Sequence, residues 1–350
     1  MHGGNVWQGE GPLRWLDFSA NLRPEGPPEW VREALVNALS EARWYPDPSM
    51  ARERAALGRF LSLPEDWVLP TAGGASAIAL AAGLEASEHL TFSPCFGEYA
   101  WQAEALGGPV RTLPLLAGRH IVGDPAEQAE GTLSQGGAVW LCNPHNPLGT
   151  AFSREQVLRL LDQIEAMDGW LILDEAFIEY CPEQTCAPLL AEHGRLVIVG
   201  SMTKILAVPG VRLGYLCANP HVIEGLARRL TPWALNSFAG AVLRALPEHR
   251  GEFARYALEN ERRRDGLKAA LERLGAFVYP SHAPFLLADF GRPVRPIAEV
   301  LKKRGILVRE CMDFEDADDG AHLRFAVRTE SENGRLVEEL REAMACAGNH

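Results

Sequence analysis

Residues 196–215 read LVIVGSMTKILAVPGVRLGY. The first five positions are apolar or small, which predicts a short buried strand over residues 196–200. Ser201, Lys204 and Arg212 follow, and together they would supply a hydroxyl, an amine and a guanidinium to one small space. A phosphate ester suits the hydroxyl and the guanidinium, and a partly desolvated amine can attack an aldehyde. Because a lone lysine is usually a solvated surface group, this interpretation depends on the residues around it.

Six more apolar runs of strand length accompany this one, and amphipathic segments such as residues 154–167 separate several of them. Strands that alternate with helices indicate right-handed crossovers and a mainly parallel sheet covered on both faces. The sequence therefore predicts an α/β protein with a three-layer αβα domain. The other predicted strands are residues 67–70, 89–93, 110–115, 138–142, 170–174 and 213–218.

The pattern changes near residue 245 and predicts a second, smaller α+β domain. A long charged helix and a final helix would enclose several short strands, and these predicted elements are residues 252–274, 277–279, 285–290, 306–309, 322–327 and 331–345. We expect a large domain over residues 41–245 and a small domain over residues 246–350. Residues 1–40, whose first part is rich in Gly and Pro, should form an arm that packs with the small domain.

Composition limits the class of protein. The 350 residues are 47% hydrophobic and 23% charged, and their net charge of −12 argues against a nucleic-acid partner. The seven scattered cysteines are odd in number, which favours reduced thiols. No apolar run is long enough to span a bilayer, and the N-terminus does not resemble a secretory signal. We therefore expect a cytoplasmic protein with no membrane partner.

Two polar motifs follow predicted strands, at the edge where open α/β sheets bind ligands. Asp174 ends the strand 170–174, where a carboxylate can hold a protonated pyridine nitrogen. The alternative is that this acidic pair, Asp174 and Glu175, caps the next element. The segment NPHNP at residues 143–147 contains two Asn-Pro steps, which form either an ordinary turn or a rigid one that aims the Asn146 amide at a ring hydroxyl.

Two weaker motifs follow two other strands. The segment PTAGGASA at residues 70–77 links a strand to an apolar helix, and the backbone of Gly74 and Ala75 could reach a phosphate there. Alone, a Gly-rich turn is weak evidence. Phe96 follows the strand 89–93 and is either an ordinary core aromatic or a ring that stacks on a flat cofactor.

Taken together, these segments resemble the fold-type I enzymes that depend on pyridoxal 5'-phosphate (PLP), specifically the aminotransferase class I/II superfamily. Within it, the chain is most similar to the L-threonine-O-3-phosphate decarboxylases of cobalamin biosynthesis, and the histidinol-phosphate aminotransferases come second. The match covers nearly the whole chain. It includes HGGN (2–5), LDFSAN (16–21), YPDP (45–48), LILDEAFIEY (171–180), PGVRLGYL (209–216), PWALN (232–236) and LRFAVRTESEN (323–333).

The resemblance implies a role for each cofactor residue. Lys204 would bind PLP as a Schiff base and later handle the proton at Cα, while Asp174 would pair with the pyridinium nitrogen. Asn146 would reach the ring oxygen and contact the substrate, and Phe96 would stack on the ring. The cofactor phosphate would be held by Gly74, Ala75, Ser201 and Arg212, and by Tyr45 of a neighbouring subunit, which implies a homodimer.

The resemblance also implies how a small phosphorylated amino acid would bind. Arg324 would take the α-carboxylate. The residues that could bind the substrate phosphate are His2, Asn21, Arg23 and Arg328, each of which has an alternative as a surface or backbone-fixing group. Of these, we favour Arg328 with His2.

Three functions remain open at this point. The HGGN opening, a Phe rather than a Tyr at position 177, and the pair Arg324 and Arg328 favour decarboxylation of L-threonine O-3-phosphate to (R)-1-aminopropan-2-ol O-phosphate. A histidinol-phosphate or related amino-acid aminotransferase is the first alternative, because a tight Arg324–carboxylate pair stabilises the ground state and opposes loss of CO2. A non-catalytic PLP-fold binding or regulatory protein is the second.

Overall fold

A computed structural model of the chain describes residues 3–8 and 11–347. Its strands are β1 (Leu16–Asp17), β2 (Val68–Thr71), β3 (His89–Ser93), β4 (Val110–Pro114), β5 (Leu116–Ala117), β6 (His120–Ile121), β7 (Ala138–Cys142), β8 (Trp170–Asp174), β9 (Leu196–Ser201), β10 (Gly214–Cys217), β11 (Phe277–Val278), β12 (Phe285–Asp289), β13 (Ile306–Leu307), β14 (Arg309–Glu310) and β15 (His322–Ala326). Its α-helices are α1 (Glu29–Ala38), α2 (Ala51–Leu61), α3 (Gly74–Ala82), α4 (Glu98–Ala105), α5 (Pro125–Ala129), α6 (Arg154–Ala166), α7 (Pro220–Ala227), α8 (Ser237–Ala245), α9 (Arg250–Arg273), α10 (Arg295–Lys303) and α11 (Glu330–Ala347).

The larger sheet has seven strands in the order β2-β10-β9-β8-β7-β3-β4. Neighbouring pairs from β9 to β4 are parallel, and β10 alone runs antiparallel to both of its neighbours. Strands such as β7 and β9 are buried along their whole length, which is the pattern of a sheet covered on both faces. The predicted α/β fold with a mainly parallel sheet is confirmed.

A second sheet of four antiparallel strands, β11-β12-β15-β14, has its own cluster of buried apolar side chains. One strand prediction here was wrong. Residues 306–309 were expected to form a single strand, but β13 ends at Leu307 and β14 begins at Arg309, so the segment forms two short strands. β13 pairs in parallel with β1, whereas β14 pairs with β15, so the two halves of this segment belong to different sheets.

The N-terminal segment contacts both clusters of buried residues. β1 is hydrogen-bonded to β13, and the buried Phe18 lies in the smaller cluster. Trp30 and Val31 of α1 lie in the larger cluster, where Trp30 stacks on His249 at 4.4 Å between ring centroids. None of the described helices is long and apolar enough to cross a membrane. The seven cysteines, all within the described residues, are free thiols.

Candidate active site

A cavity of about 270 Å³ lies where β3, β7, β8 and β9 end. The ends of parallel strands meet at one edge of a sheet, so polar residues that follow different strands come together there. The N-terminal segment and the strands of the smaller sheet close the cavity from the other side. Among its lining residues are six that the sequence predicted: Asn21, Phe96, Asn146, Asp174, Lys204 and Arg324.

Asp174 is the buried carboxylate of the cavity, at the last position of β8. The hydroxyl of Tyr99 donates a hydrogen bond of 2.6 Å to Oδ2, and the backbone N–H of Ala176 donates one of 2.9 Å to Oδ1. Burial raises the pKa of Asp174, and the two hydrogen bonds and the charge of Lys204 oppose that rise. Burial and the Asp174 charge raise the pKa of Tyr99 well above its usual value, so the hydroxyl stays protonated and donates.

Lys204 lies just past the end of β9 in the same cavity. Burial lowers the pKa of its amine to about 8, with the positive charges of Arg324 and Arg212 acting in the same direction. A substantial fraction of the amine is therefore neutral near physiological pH, and only a neutral amine can attack an aldehyde. Lys204 and Asp174 thus bring a nucleophile and a carboxylate to one cavity.

Arg324 and Asn146 connect the smaller sheet to the larger one. Nη1 of Arg324, a buried residue of β15, donates a 2.5 Å hydrogen bond to Oδ1 of Asn146. Nη2 donates to the backbone oxygen of Ser19 at 3.1 Å. Nε has no hydrogen-bond partner among the described residues. Burial lowers the pKa of Arg324 to about 10, which still leaves the guanidinium charged at neutral pH.

A cradle for an anion lies at the N-terminus of α3, beside Ser201 and Arg212. Gly73 has φ of +87°, and a Cβ there would lie 2.5 Å from Nη2 of Arg212. A Cβ at Gly214 would clash with the backbone carbon of Gly73, and one at Gly74 would lie 3.4 Å from Cβ of Ser201. None of the described side chains caps this helix, so its first N–H groups, including that of Ala75, suit a phosphate.

Two phenylalanines form an apolar part of the cavity wall. Phe96 meets the ring of Tyr99 edge-on, with centroids 5.7 Å apart. Phe177 is buried and packs edge-on against Phe285 at 5.2 Å. Because Phe177 has no hydroxyl, its ring offers no hydrogen-bond donor to the cavity, whereas the amide of Asn146 in the same lining does.

Several predicted site residues are not brought to the cavity. Arg328 donates to Glu332 at 2.9 Å and to the backbone oxygen of Asp17 at 3.1 Å, and these contacts hold its guanidinium outside the lining. Arg23 is likewise outside, over the ring of Tyr256 at 4.3 Å. Tyr45 is exposed on the surface. His2 lies outside the described residues.

Two residues were missed by the sequence reasoning. Arg309 of β14 lies directly opposite Arg324 in the strand register and lines the cavity. Nothing in the sequence shows that pairing. Tyr99 was quoted only as part of a motif that also contains Phe96, and no signal in the sequence shows that its hydroxyl reaches Asp174.

Comparisons with known proteins agree with this architecture. The family model of aminotransferase class I and II matches residues 14–340. Threonine-phosphate decarboxylase of Salmonella typhimurium is 30% identical, with 98% of this chain and 96% of that protein covered. Histidinol-phosphate aminotransferase of Symbiobacterium thermophilum is 33% identical, with coverage of 94% and 90%. The crystal structure of histidinol-phosphate aminotransferase from Clostridium acetobutylicum is 25% identical, has a TM-score of 0.86, and covers 93% of this chain and 98% of that one.

The fold and the site define an enzyme of the fold-type I PLP class. The chain belongs to the aminotransferase class I and II family and depends on PLP. Its own residues fit this cofactor. Lys204 supplies an amine, Asp174 supplies a buried carboxylate, and the glycine turn at Gly73 and Gly74 leaves a space beside Arg212 that a Cβ would fill. The predicted family and cofactor are confirmed.

Proposed function

We propose that the protein decarboxylates L-threonine O-3-phosphate to (R)-1-aminopropan-2-ol O-phosphate, a step of cobalamin biosynthesis. The cross-strand pair of Arg309 and Arg324 carries this proposal. Opposed residues of antiparallel strands have Cα atoms about 5 Å apart, so two cations stand side by side at one small cavity. Threonine phosphate carries a carboxylate and a phosphate on a short chain. Histidinol phosphate carries a phosphate and no carboxylate, so it leaves one of the two cations unpaired.

In this proposal each arginine binds one anionic group. Arg324 takes the α-carboxylate through its unpartnered Nε and the Nη groups that now contact Asn146 and Ser19. Arg309 takes the phosphate in place of Arg328, whose guanidinium is held by Glu332. Because the two arginines project from adjacent strands, they fix both ends of the substrate and thereby the rotation of its Cα.

The remaining residues handle charge and protons. When bound, PLP supplies an electron-withdrawing ring next to the substrate Cα. We assign Asp174 to balance the charge of the ring nitrogen and Asn146 to bind the ring oxygen, with Phe96 against the ring face. With a pKa near 8, Lys204 can hold the proton that returns to Cα after CO2 leaves. Gly74, Ala75, Ser201 and Arg212 are assigned to the cofactor phosphate.

An aminotransferase is the second candidate, and one observation favours it. Arg324 is only 5% exposed and already has two hydrogen-bond acceptors, so a carboxylate bound there would be held tightly. Tight binding of the group that departs stabilises the ground state and opposes loss of CO2. An aminotransferase keeps that pair, with the carboxylate of its keto acid or of an amino-acid donor rather than of histidinol phosphate, and breaks the C–H bond at Cα instead.

Product analysis separates the two functions. Purified holoenzyme is given L-threonine O-3-phosphate with no keto acid, and CO2 and the amino-alcohol phosphate are measured together. A decarboxylase forms both in equal amounts, and Lys204→Ala abolishes them. The contrary result is that threonine phosphate releases no CO2, while a second reaction with histidinol phosphate and a keto acid shows amino transfer. That result would replace this proposal by the second candidate.

We also propose that the enzyme is a cytoplasmic homodimer in which Tyr45 reaches the cofactor phosphate of the neighbouring subunit. An exposed aromatic pair supports this interface, because the ring of Tyr45 stacks on that of Trp233 at 4.5 Å and both remain accessible to solvent. Light scattering should give twice the chain mass, and Tyr45→Phe should weaken cofactor binding without dissociating the dimer. A monomer with normal cofactor affinity would contradict this assembly.

A further inference from the structure

The hairpin of β5 and β6 extends from the edge of the larger sheet to the smaller sheet. It follows the edge strand β4 and forms a separate two-stranded sheet, with Gly118 and Arg119 at its turn. Just before the hairpin, the backbone N–H of Leu115 donates to the backbone oxygen of Ser93 at 2.7 Å. The base of the hairpin is therefore fixed to the larger sheet, while its turn contacts the smaller one.

The first contact of the turn is an ion pair. Nε of Arg119 donates a 2.6 Å hydrogen bond to Oδ2 of Asp289, the last residue of β12. The backbone N–H of Gly291 donates to the other carboxylate oxygen, also at 2.6 Å. The Asp289 side chain is 9% exposed and that of Arg119 is 52% exposed. The pair thus attaches the turn to the end of β12 through a carboxylate that is held by both of its oxygens.

The second contact is a buried chain of hydrogen-bonding groups. The hydroxyl of Tyr279 lies 3.1 Å from Nε2 of His322 and 3.3 Å from the backbone oxygen of Gly118. Both side chains are buried, and burial raises the pKa of Tyr279 to about 12, so the hydroxyl keeps its proton. Because His322 is the first residue of β15, this chain attaches that strand to the hairpin. We call the two contacts together the clasp, formed by Gly118, Arg119, Tyr279, Asp289 and His322.

The clasp lies at one end of the strand that carries Arg324. His322 is paired with Asp289 at this end of the β12–β15 ladder. Phe285 lies at the other end, where its ring packs on that of Phe177. Arg324 is between the two ends, on the same face of β15 as His322 and about 7 Å from it. The position of Arg324 over the cavity therefore depends on how both ends of its strand are held.

We propose that the clasp is a positioning device that keeps Arg324 in place when the substrate binds. This inference rests on the proposed binding of the substrate carboxylate by Arg324. Arg324 itself is bonded to Asn146 of the larger sheet, and a carboxylate that takes over its Nη groups breaks that bond. The clasp residues lie outside the cavity lining, so the substrate leaves their contacts intact. Because β14 pairs with β15, the clasp holds Arg309 as well.

Binding of an unreactive substrate analogue to the holoenzyme tests this inference without turnover. 3-Phosphooxybutanoate has the carboxylate and the phosphate of threonine phosphate but no amine, so it cannot react with the cofactor aldehyde. In isothermal titration, Arg119→Gln should weaken its binding about two- to fivefold, because a partly exposed ion pair contributes a factor of about five at most. Tyr279→Phe should weaken it about two- to tenfold through loss of a buried hydrogen bond. PLP affinity should not change in either variant.

Two matched controls remove the same groups elsewhere. Arg295→Gln removes a guanidinium from α10, where its partner is Glu299, and Tyr256→Phe removes a hydroxyl that pairs with Glu252 on α9. Both variants should bind the analogue as the wild type does. The double variant of Arg119→Gln and Asp289→Asn should bind no more weakly than either single variant, because both substitutions break one ion pair.

Wild-type affinity for the analogue in both clasp variants would overturn the inference. An equal loss of PLP affinity would also overturn it, since that result indicates a general loosening of the protein. Arg324→Gln tests the underlying assignment separately. If it binds the analogue as the wild type does, or if the wild type binds none, the proposed substrate contact is itself wrong. If Arg324→Gln loses affinity while the clasp variants do not, only the inference about the clasp fails.

Discussion

Replacement of Tyr99 by Phe tests whether the polar environment of Asp174 sustains catalysis. The hydroxyl of Tyr99 donates to Oδ2 of Asp174 at 2.6 Å inside the protein, where no solvent replaces it. The ring of Tyr99 stacks on Trp140 at 5.1 Å, and Phe would keep that packing. The substitution therefore removes one hydrogen bond to a buried carboxylate and leaves the shape of the site unchanged.

The expected magnitude follows from the energy of a hydrogen bond to a charged group, about 1.5–3 kcal/mol. Each 1.36 kcal/mol corresponds to a factor of ten in rate, so the loss in kcat should be about 10- to 150-fold. The direction follows from the pKa of Asp174. Burial already raises that pKa and the Tyr99 hydroxyl lowers it, so Tyr99→Phe raises it further. A protonated Asp174 cannot balance the charge of a pyridinium nitrogen.

The assay is the pH dependence of kcat, together with visible absorption of the bound cofactor. Because the role proposed for Asp174 requires its carboxylate form, the acidic limb of the profile should move to higher pH in Tyr99→Phe. Tyr180→Phe is the matched control, since the Tyr180 hydroxyl is buried and has no hydrogen-bond partner among the described residues. A Tyr99→Phe enzyme with wild-type kcat and an unmoved acidic limb would refute the reasoning.

Three further outcomes are expected. The rate at which the apoenzyme binds PLP should rise about tenfold per pH unit below pH 8 and little above it, because burial lowers the pKa of Lys204 to about 8. Stopped-flow absorbance measures this rate, and a flat pH profile would contradict the prediction. Gly73→Ala should weaken PLP binding at least about tenfold, because the added Cβ would clash with Arg212 and the φ of Gly73 is positive. Gly210→Ala is the control and should leave PLP binding unchanged, because Gly210 has open space around it. Equilibrium dialysis compares the two variants. Burial raises the pKa of Glu179 to about 8, above its unfolded value, so its own contribution to the unfolding free energy should fall by about 3 kcal/mol between pH 4.5 and 7. In urea unfolding, Glu179→Gln should therefore lose less stability than the wild type over this range, by about that amount. Equal slopes in both proteins would exclude this cause.

The larger sheet could be predicted closely because its buried strands are continuous apolar runs that end at polar residues. β3, β7 and β8 have the bounds that their patterns predict, and β9 is one residue longer. Residues that follow such strands meet at one edge for topological reasons, so the amino-acid sequence alone was enough to place Asp174 and Lys204 together.

The substrate side of the cavity could not be predicted in the same way, because it depends on pairing between distant segments. Residues 306–309 divide between β13 and β14 because β1, far away in sequence, offers a partner strand. That division determines which residue faces Arg324. The predicted role of Arg328 in binding the substrate phosphate stays a prediction, and its ion pair with Glu332, four residues further on, occupies its guanidinium.

One side of the cavity is formed by the larger sheet and the other by the smaller sheet, and we propose that the first binds the cofactor and the second the substrate. Asp174 and Lys204 lie at the ends of strands of the larger sheet and are assigned here to the cofactor. Arg309 and Arg324 belong to the smaller sheet, and we propose that they bind the substrate anions. Substitutions in the smaller sheet can change which anions are bound, and how Cα is rotated, without moving the cofactor residues. Under the proposed assignment, the way in which the arginine pair orients Cα would decide between decarboxylation and amino transfer, since Lys204 and Asp174 suit either reaction.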